Sequence, residues 1–118
     1  MNNIKLYDSE LKIMEIVWEK EPVSAKEISL IAAETIGWNK NTTYTVIKKL
    51  IEKNAVERRE PNFICTSLVK KKDIQKSETR HLIDKLYNGS KKAFFAAFTD
   101  EKLSEDELEE LKKLIEKR

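Results

Sequence analysis

Two glycines and two prolines are spread over 118 residues, and that scarcity limits the fold more than any other feature. A chain of many short strands needs frequent tight turns, and Gly and Pro supply the backbone angles those turns demand. An all-β sandwich or barrel is therefore excluded, and a mainly helical fold is expected. Charged residues are 37% of the chain and large apolar ones recur throughout, which excludes a disordered tail and a membrane protein. No segment approaches the roughly 20 apolar residues of a membrane span, and "MNNIKLYDSE" has no apolar run of the signal-peptide kind. A cytoplasmic protein with no direct membrane binding is expected. One Cys and one His can form neither an intramolecular disulfide nor a structural zinc cluster, so no metal or other cofactor is expected.

In "YDSELKIMEIVWEK", Leu11, Met14, Val17 and Trp18 recur at helical spacing, with Asp8 or Ser9 available as cap. Pro22 stops this first helix. "SAKE", Ser24 to Glu27, then has the Ser-x-x-Glu form in which two side chains satisfy each other's backbone N–H groups. It predicts a second helix burying Ile28, Ile31 and Ala32.

The stretch "GWNKNTTYTVIKKLIEKNAV", residues 37–56, contains a β-branched run that also suits a strand. Periodicity decides between the two. Alternation puts Thr43, Thr45 and Ile47 on one face and Thr42, Tyr44 and Val46 on the other, leaving neither consistently apolar. A helix instead gathers Thr43, Val46, Ile47, Leu50 and Ile51 into one stripe, with Asn39 as its cap and Asn54 closing it in the left-handed conformation. Its opposite face carries Asn41, Tyr44, Thr45 and Lys48. No acidic residue occurs between Asn39 and Glu52, although the positive end of a helix dipole favours Asp and Glu in the first turn. The vacancy suits a negative charge supplied from outside.

Two short extended runs, Val56 to Arg59 and Phe63 to Ser67, flank "EPN" and predict a hairpin turning at Pro61 and Asn62. Three helices followed by a small basic hairpin is the order of a winged helix-turn-helix. Residues 38–72 hold nine Lys and Arg against three Glu, whereas from Asp73 onward ten basic residues face eleven acidic ones. Positive charge concentrated in this third of the chain points to a polyanion partner.

From Asp73 the helical pattern resumes with Ile74, Leu82, Ile83, Leu86 and Tyr87 and breaks near "NGS". The aromatic segment "KKAFFAAF" follows, then a last helix with a second capping box at Ser104 and Glu107 and an apolar face of Leu108, Leu111 and Ile115. The expected division is a winged-helix DNA-binding domain at 1–72 and a helical dimerisation region at 73–118. So short a tail closes no core alone. Dimerisation through Leu82, Leu86, Phe94, Phe95, Leu108, Leu111 and Ile115 is the economical solution.

The stretches "LKIMEIVWEKEPVSAKEI", "GWNKNTTYTVIKKLIEKNAV" and "AFTDEKLSEDELEELKKLIEK" together resemble the penicillinase repressors, the BlaI/MecI type of winged-helix regulators. The resemblance spans nearly the whole chain in order. It implies a homodimer whose winged helices bind a palindromic operator in double-stranded DNA and repress genes for β-lactam resistance. It puts the third helix in the major groove, with Asn41, Thr42, Tyr44, Thr45 and Lys48 facing DNA; better known members have basic residues where this chain has Asn41 and Tyr44. Side-chain chemistry agrees, since Asn pairs with adenine edges, Thr sets its methyl against thymine, and Lys48 and Lys49 meet phosphate or guanine. Lys40 completes the basic set at the helix start. Arg58 and Arg59 on the hairpin suit backbone or minor-groove contact, and strand alternation turns only one of them to DNA. The resemblance also implies a membrane sensor-protease partner and cleavage at Ala97-Phe98, where Ala replaces the Asn of better known members.

Other readings are plainer. Trp18 and Trp38 suit core anchors, His81 a helix surface or interface, and Cys65 a small half-buried hydrophobe. A copper-responsive relative would carry Cys-x-Cys motifs that this tail lacks. A helical interaction module binding an acidic protein through the hairpin remains the rival from another class. No nucleophile, base and orienting group assemble here, so an enzyme is not expected.

Overall fold

The computed structural model describes residues 4–99 and 104–116, with the side chains of all but 98, 99 and 114–116. The chain forms two compact units, Met1–Ile74 and Gln75–Arg118. The first contains α1 (Asp8–Lys20), β1 (Val23–Ser24), α2 (Ala25–Thr35), α3 (Lys40–Glu52), β2 (Val56–Arg59) and β3 (Ile64–Ser67). Helix α4 (Lys71–Tyr87) runs across the division, and α5 (Lys91–Thr99) and α6 (Glu105–Glu116) follow.

Helix α1 begins one residue earlier than expected. Tyr7, not Asp8 or Ser9, is the cap, and its N–H donates to Glu10 Oε1 at 2.8 Å. Asp8 thereby falls in the first turn, where its charge meets the positive end of the dipole. The helix ends before Pro22, and Ser24 then caps α2 by accepting from the Glu27 N–H at 3.0 Å. On α3 the expected ends are both present. Asn39 Oδ1 accepts from the Thr42 N–H at 2.8 Å. At the other end Asn54 turns to φ 63°, and the N–H groups of Asn54 and Ala55 return to the carbonyls of Ile51 and Leu50 at 3.0 and 2.9 Å. That double closure leaves few orphan carbonyls.

The first unit's core is the meeting of three helical stripes. Ile13, Met14 and Val17 of α1, Ile28 and Ala32 of α2, and Val46, Ile47 and Leu50 of α3 are buried together with Val56 and Cys65. Burying each large side chain contributes about 1.5–3 kcal/mol. Thr43 is also fully buried, and its hydroxyl is satisfied by donating to the Asn39 carbonyl at 3.2 Å. Trp18 is the anchor expected, with its indole N–H donating to the Val69 carbonyl at 3.0 Å. Ile74 packs in this same core, which is why the unit extends to residue 74.

Glu10 is 1% exposed inside an otherwise apolar stripe. Lys53, at the end of α3, sets its ammonium 2.7 Å from Glu10 Oε1, 2.8 Å from the Lys5 carbonyl and 4.4 Å from the centre of the Tyr7 ring. One side chain thus closes the N-terminal segment onto the end of α3.

The hairpin is one part of a three-stranded antiparallel sheet in the order β1-β3-β2. Strand β1, absent from the sequence reading, pairs Val23 with Cys65 and Ser24 with Ile64. In the hairpin Arg59 faces Ile64 and Arg58 faces Cys65. Phe63 belongs to the turn, not to the strand in which the sequence pattern puts it: Asn62 and Phe63 have φ of 75° and 53°. A bulky residue in that left-handed region carries strain of about 1–3 kcal/mol. Glu21 binds the far end of β3, accepting from the Ser67 N–H at 2.7 Å and its hydroxyl at 3.1 Å.

In the second unit, Asn88 and Gly89 take φ of 51° and 79° and end α4. Ser90 caps α5 through the Ala93 N–H at 3.0 Å. The expected box at α6 is complete, with Ser104 N–H to Glu107 Oε1 at 3.0 Å and Glu107 N–H to Ser104 Oγ at 3.1 Å. Among the described residues no helix is long and apolar enough to cross a membrane, and no group of three or more His, Cys, Asp or Glu is arranged to hold a metal ion.

Two measurements follow from this packing. Lys53→Met leaves the Glu10 carboxylate buried without its cation and is expected to lower stability by about 1–3 kcal/mol; a urea midpoint equal to the parent's would remove the ion pair from any role in holding the N-terminal segment. Cys65 is fully buried rather than half-buried, and burial pushes its thiol up from 9.0 to about 11, with Arg58 opposing. The folded thiol holds its proton longer than the unfolded one, so its contribution is complete below pH 9.0 and falls as pH rises toward about 11. Melting curves across that window should decline more steeply for the parent than for Cys65→Ala; parallel declines would contradict the assignment.

Candidate nucleic-acid interface

Burial of Thr43, Val46, Ile47 and Leu50 turns the other side of α3 to solvent. Asn41, Thr45 and Lys48 stand at i, i+4 and i+7 and therefore share one row along the helix. All three are exposed, as are Lys40, Thr42 and Lys49. The first turn contains no acidic residue, and its leading N–H groups have no intrahelical acceptor apart from the cap at Asn39. The exposed face of α3 therefore combines hydrogen-bonding side chains, three lysines and the positive end of a helix dipole.

Tyr44 differs from its neighbours in being half-buried. Its ring meets the edge of Phe63, in the hairpin turn, with centroids 5.9 Å apart and planes at 82°. Lys40 Nζ lies 5.9 Å from the centre of the Tyr44 ring. The Arg58 guanidinium also meets Phe63, 3.7 Å from its ring centroid. A continuous row of cation, ring, ring and cation thus joins the start of α3 to the hairpin. Sequence reasoning missed Phe63. Its only local signal is its place after Pro61-Asn62, where a turn residue is as plausible as a strand residue.

Arg58 and Arg59 are both exposed on the hairpin. Arg58 Nε pairs with Glu60, and Arg59 Nε lies 3.5 Å from Glu57 Oε1. Such exposed pairs are weak and screened by salt, so a phosphate can replace either carboxylate.

The remaining candidate residues lie in the second unit. Leu82 and Leu86 are 41% and 62% exposed, and Phe95, Leu108 and Leu111 are half-buried. Phe94 is 5% exposed and packs edge-on against Tyr87 at 5.6 Å, so its ring is occupied within its own subunit. Ala97-Phe98 falls in the last turns of α5, with Ala97 exposed. The side chains of Phe98 and Ile115 lie outside those described. His81 is on the surface, as expected.

A family model described as "Penicillinase repressor" matches residues 6–117. The chain is 31% identical over 117 residues to the methicillin resistance regulatory protein MecI of Staphylococcus aureus (strain N315), covering 97% of this chain and 95% of that one. It is 24% identical over 115 residues to a penicillinase repressor of Bacillus licheniformis, covering 95% and 90% respectively. Among solved structures, the solution structure of the DNA binding domain of the repressor BlaI superposes with a TM-score of 0.56 at 23% identity, over 61% of this chain and 90% of that domain. The last likeness identifies the fold of the matched part as a winged helix.

Proposed function

The chain belongs to the penicillinase repressor family, a family of DNA-binding transcriptional repressors and not of enzymes, and from that premise we propose that it is a homodimeric repressor of β-lactam resistance genes. Helix α3 enters the major groove of each half of a palindromic operator, and the hairpin lies beside the duplex as the wing. The observation that carries this reading is the exposed row of Asn41, Thr45 and Lys48 on α3, set behind a first turn with no acidic residue. Asn41 offers a bidentate amide to an adenine edge, Thr45 a methyl and hydroxyl, and Lys48 a cation to guanine or phosphate. Thr42, Lys40 and Lys49 meet the backbone around the helix start, where bare N–H groups and the dipole favour a phosphate. Tyr44 borders this row on the wing side, and one of Arg58 and Arg59 meets phosphate. The protein works in the cytoplasm, where such DNA lies.

The second unit joins the two subunits. Leu82 and Leu86 expose apolar surface that a partner copy covers, and Phe95, Leu108 and Leu111 extend the contact, while Phe94 is buried beside Tyr87. Release follows when a membrane sensor-protease leads to cutting at Ala97-Phe98. That bond is helical, so the end of α5 must first unwind to give the extended chain a protease binds. Cutting there detaches α6. Two linked half-site contacts bind far more tightly than one because the second is intramolecular, so a weakened dimer leaves DNA.

Asn41→Ala is expected to weaken binding to a specific operator fragment by about 1–3 kcal/mol, with unchanged circular dichroism and unchanged affinity for scrambled duplex. Equal affinity of mutant and parent would remove α3 from base recognition, and absence of any duplex binding by the parent would favour the interaction-module reading. A chain ending at Ala97 should sediment as monomer at concentrations where the full chain is dimeric. A truncated chain that stays dimeric would contradict the release mechanism.

A further inference from the structure

The geometry points to Phe63 as a positioning residue that couples the wing to the recognition helix, and we propose that its ring aims the Arg58 guanidinium at a DNA phosphate in the register that α3 sets. The proposal rests on the DNA-binding reading above and adds to it a route by which α3 and the wing act as one unit.

Three contacts converge on Phe63. Its carbonyl accepts from the Ala25 N–H at 2.9 Å, at the start of α2. Its ring takes the edge contact with Tyr44 of α3 and lies under Arg58 of β2. Its backbone holds φ 53° after Asn62 at 75°. A strained conformation at a bulky residue persists only where its surroundings over-determine it, and here they do so from three elements. Glycine would adopt this φ freely but would present no ring. What the strain maintains is therefore the placement of the ring.

The placement has a chemical consequence. A guanidinium held over an aromatic ring is restrained without using up its N–H donors, and its planar fork matches a phosphate bidentately. Glu60 engages Nε of Arg58, and that exposed pair yields readily to a phosphate. Without the ring, Arg58 would be restrained only by its exposed pair with Glu60 and would lose more freedom on binding a phosphate. Tyr44 transmits the register: seated on α3 and half-buried, it fixes where Phe63 can lie. Its ring thus serves the wing, while Asn41, Thr45 and Lys48 are left to the bases.

The test compares the parent with Phe63→Gly, Phe63→Tyr, Arg58→Gln and the Phe63→Gly/Arg58→Gln double variant, using a duplex that the parent selects from a randomised pool. Affinity is measured over a range of salt concentrations, and urea unfolding confirms that each variant is folded. Arg58→Gln should lower affinity about three- to tenfold and reduce the steepness of the salt dependence by about one phosphate contact. Phe63→Gly should do the same, the double variant should be no worse than either single one, and Phe63→Tyr should restore both affinity and slope. A purely structural role for Phe63 would lower stability without changing the salt slope. The proposal is overturned if folded Phe63→Gly keeps the parent's slope, or if its loss adds fully to that of Arg58→Gln. If the parent selects no duplex, the DNA-binding reading fails and this proposal with it; if the parent selects one and Phe63→Gly binds it unchanged, only this proposal fails.

Discussion

The burial of Thr43, Val46, Ile47 and Leu50 against α1 and α2 is the contact on which the outward chemistry of the first unit depends. A helix has one rotational setting once its apolar row is seated, so the same packing that excludes water from one side determines which side chains stand on the other. Asn39 and Asn54 then set its length, since a cap at one end and a left-handed closure at the other stop the helix at both boundaries. Glu10 and Lys53 add a second constraint from the far end of α3. The exposed row is in this sense a by-product of the core.

Much of that was legible in the residues. The apolar stripe of α3, its caps, the capping box at Ser104 and Glu107 and the turn at Pro61-Asn62 are local patterns, and each is present where its pattern lies. What escaped depends on distant partners. Strand β1 has two residues and so no period to detect; it exists because β3 offers it an edge. Phe63 looks like a strand residue because bulky side chains avoid positive φ, and its contacts with Ala25, Tyr44 and Arg58 override that preference. Tyr44, half-buried against the core, likewise meets a ring nineteen positions later in the chain. Glu10 sits at an apolar position for which the compensating Lys53 is 43 residues away.

The second unit shows the limit of apolar patterning most clearly. "AFFAAF" is apolar on every side, so its sequence cannot distinguish a ring buried within the subunit from one offered to a partner. Phe94 takes the first course against Tyr87, whereas Leu82 and Leu86 on α4 remain exposed. Capping chemistry, by contrast, is short-range, and Ser104 begins α6 where the residues alone say it should.

The carboxylates of Glu57 and Glu60 beside Arg59 and Arg58 bear on the order of events in an encounter. A locally neutralised hairpin adds little to the long-range potential, which fades within about a Debye length of 8–10 Å in ordinary salt. In the DNA-binding role proposed above, the distant pull on a polyanion therefore comes from the lysines of α3, of which Lys40 begins a first turn that holds no acidic residue. The hairpin engages only at contact, when a phosphate comes close enough to displace its carboxylates. On that proposed role, capture and commitment fall to different elements of one small unit, and raising the salt should slow the first more than it loosens the second.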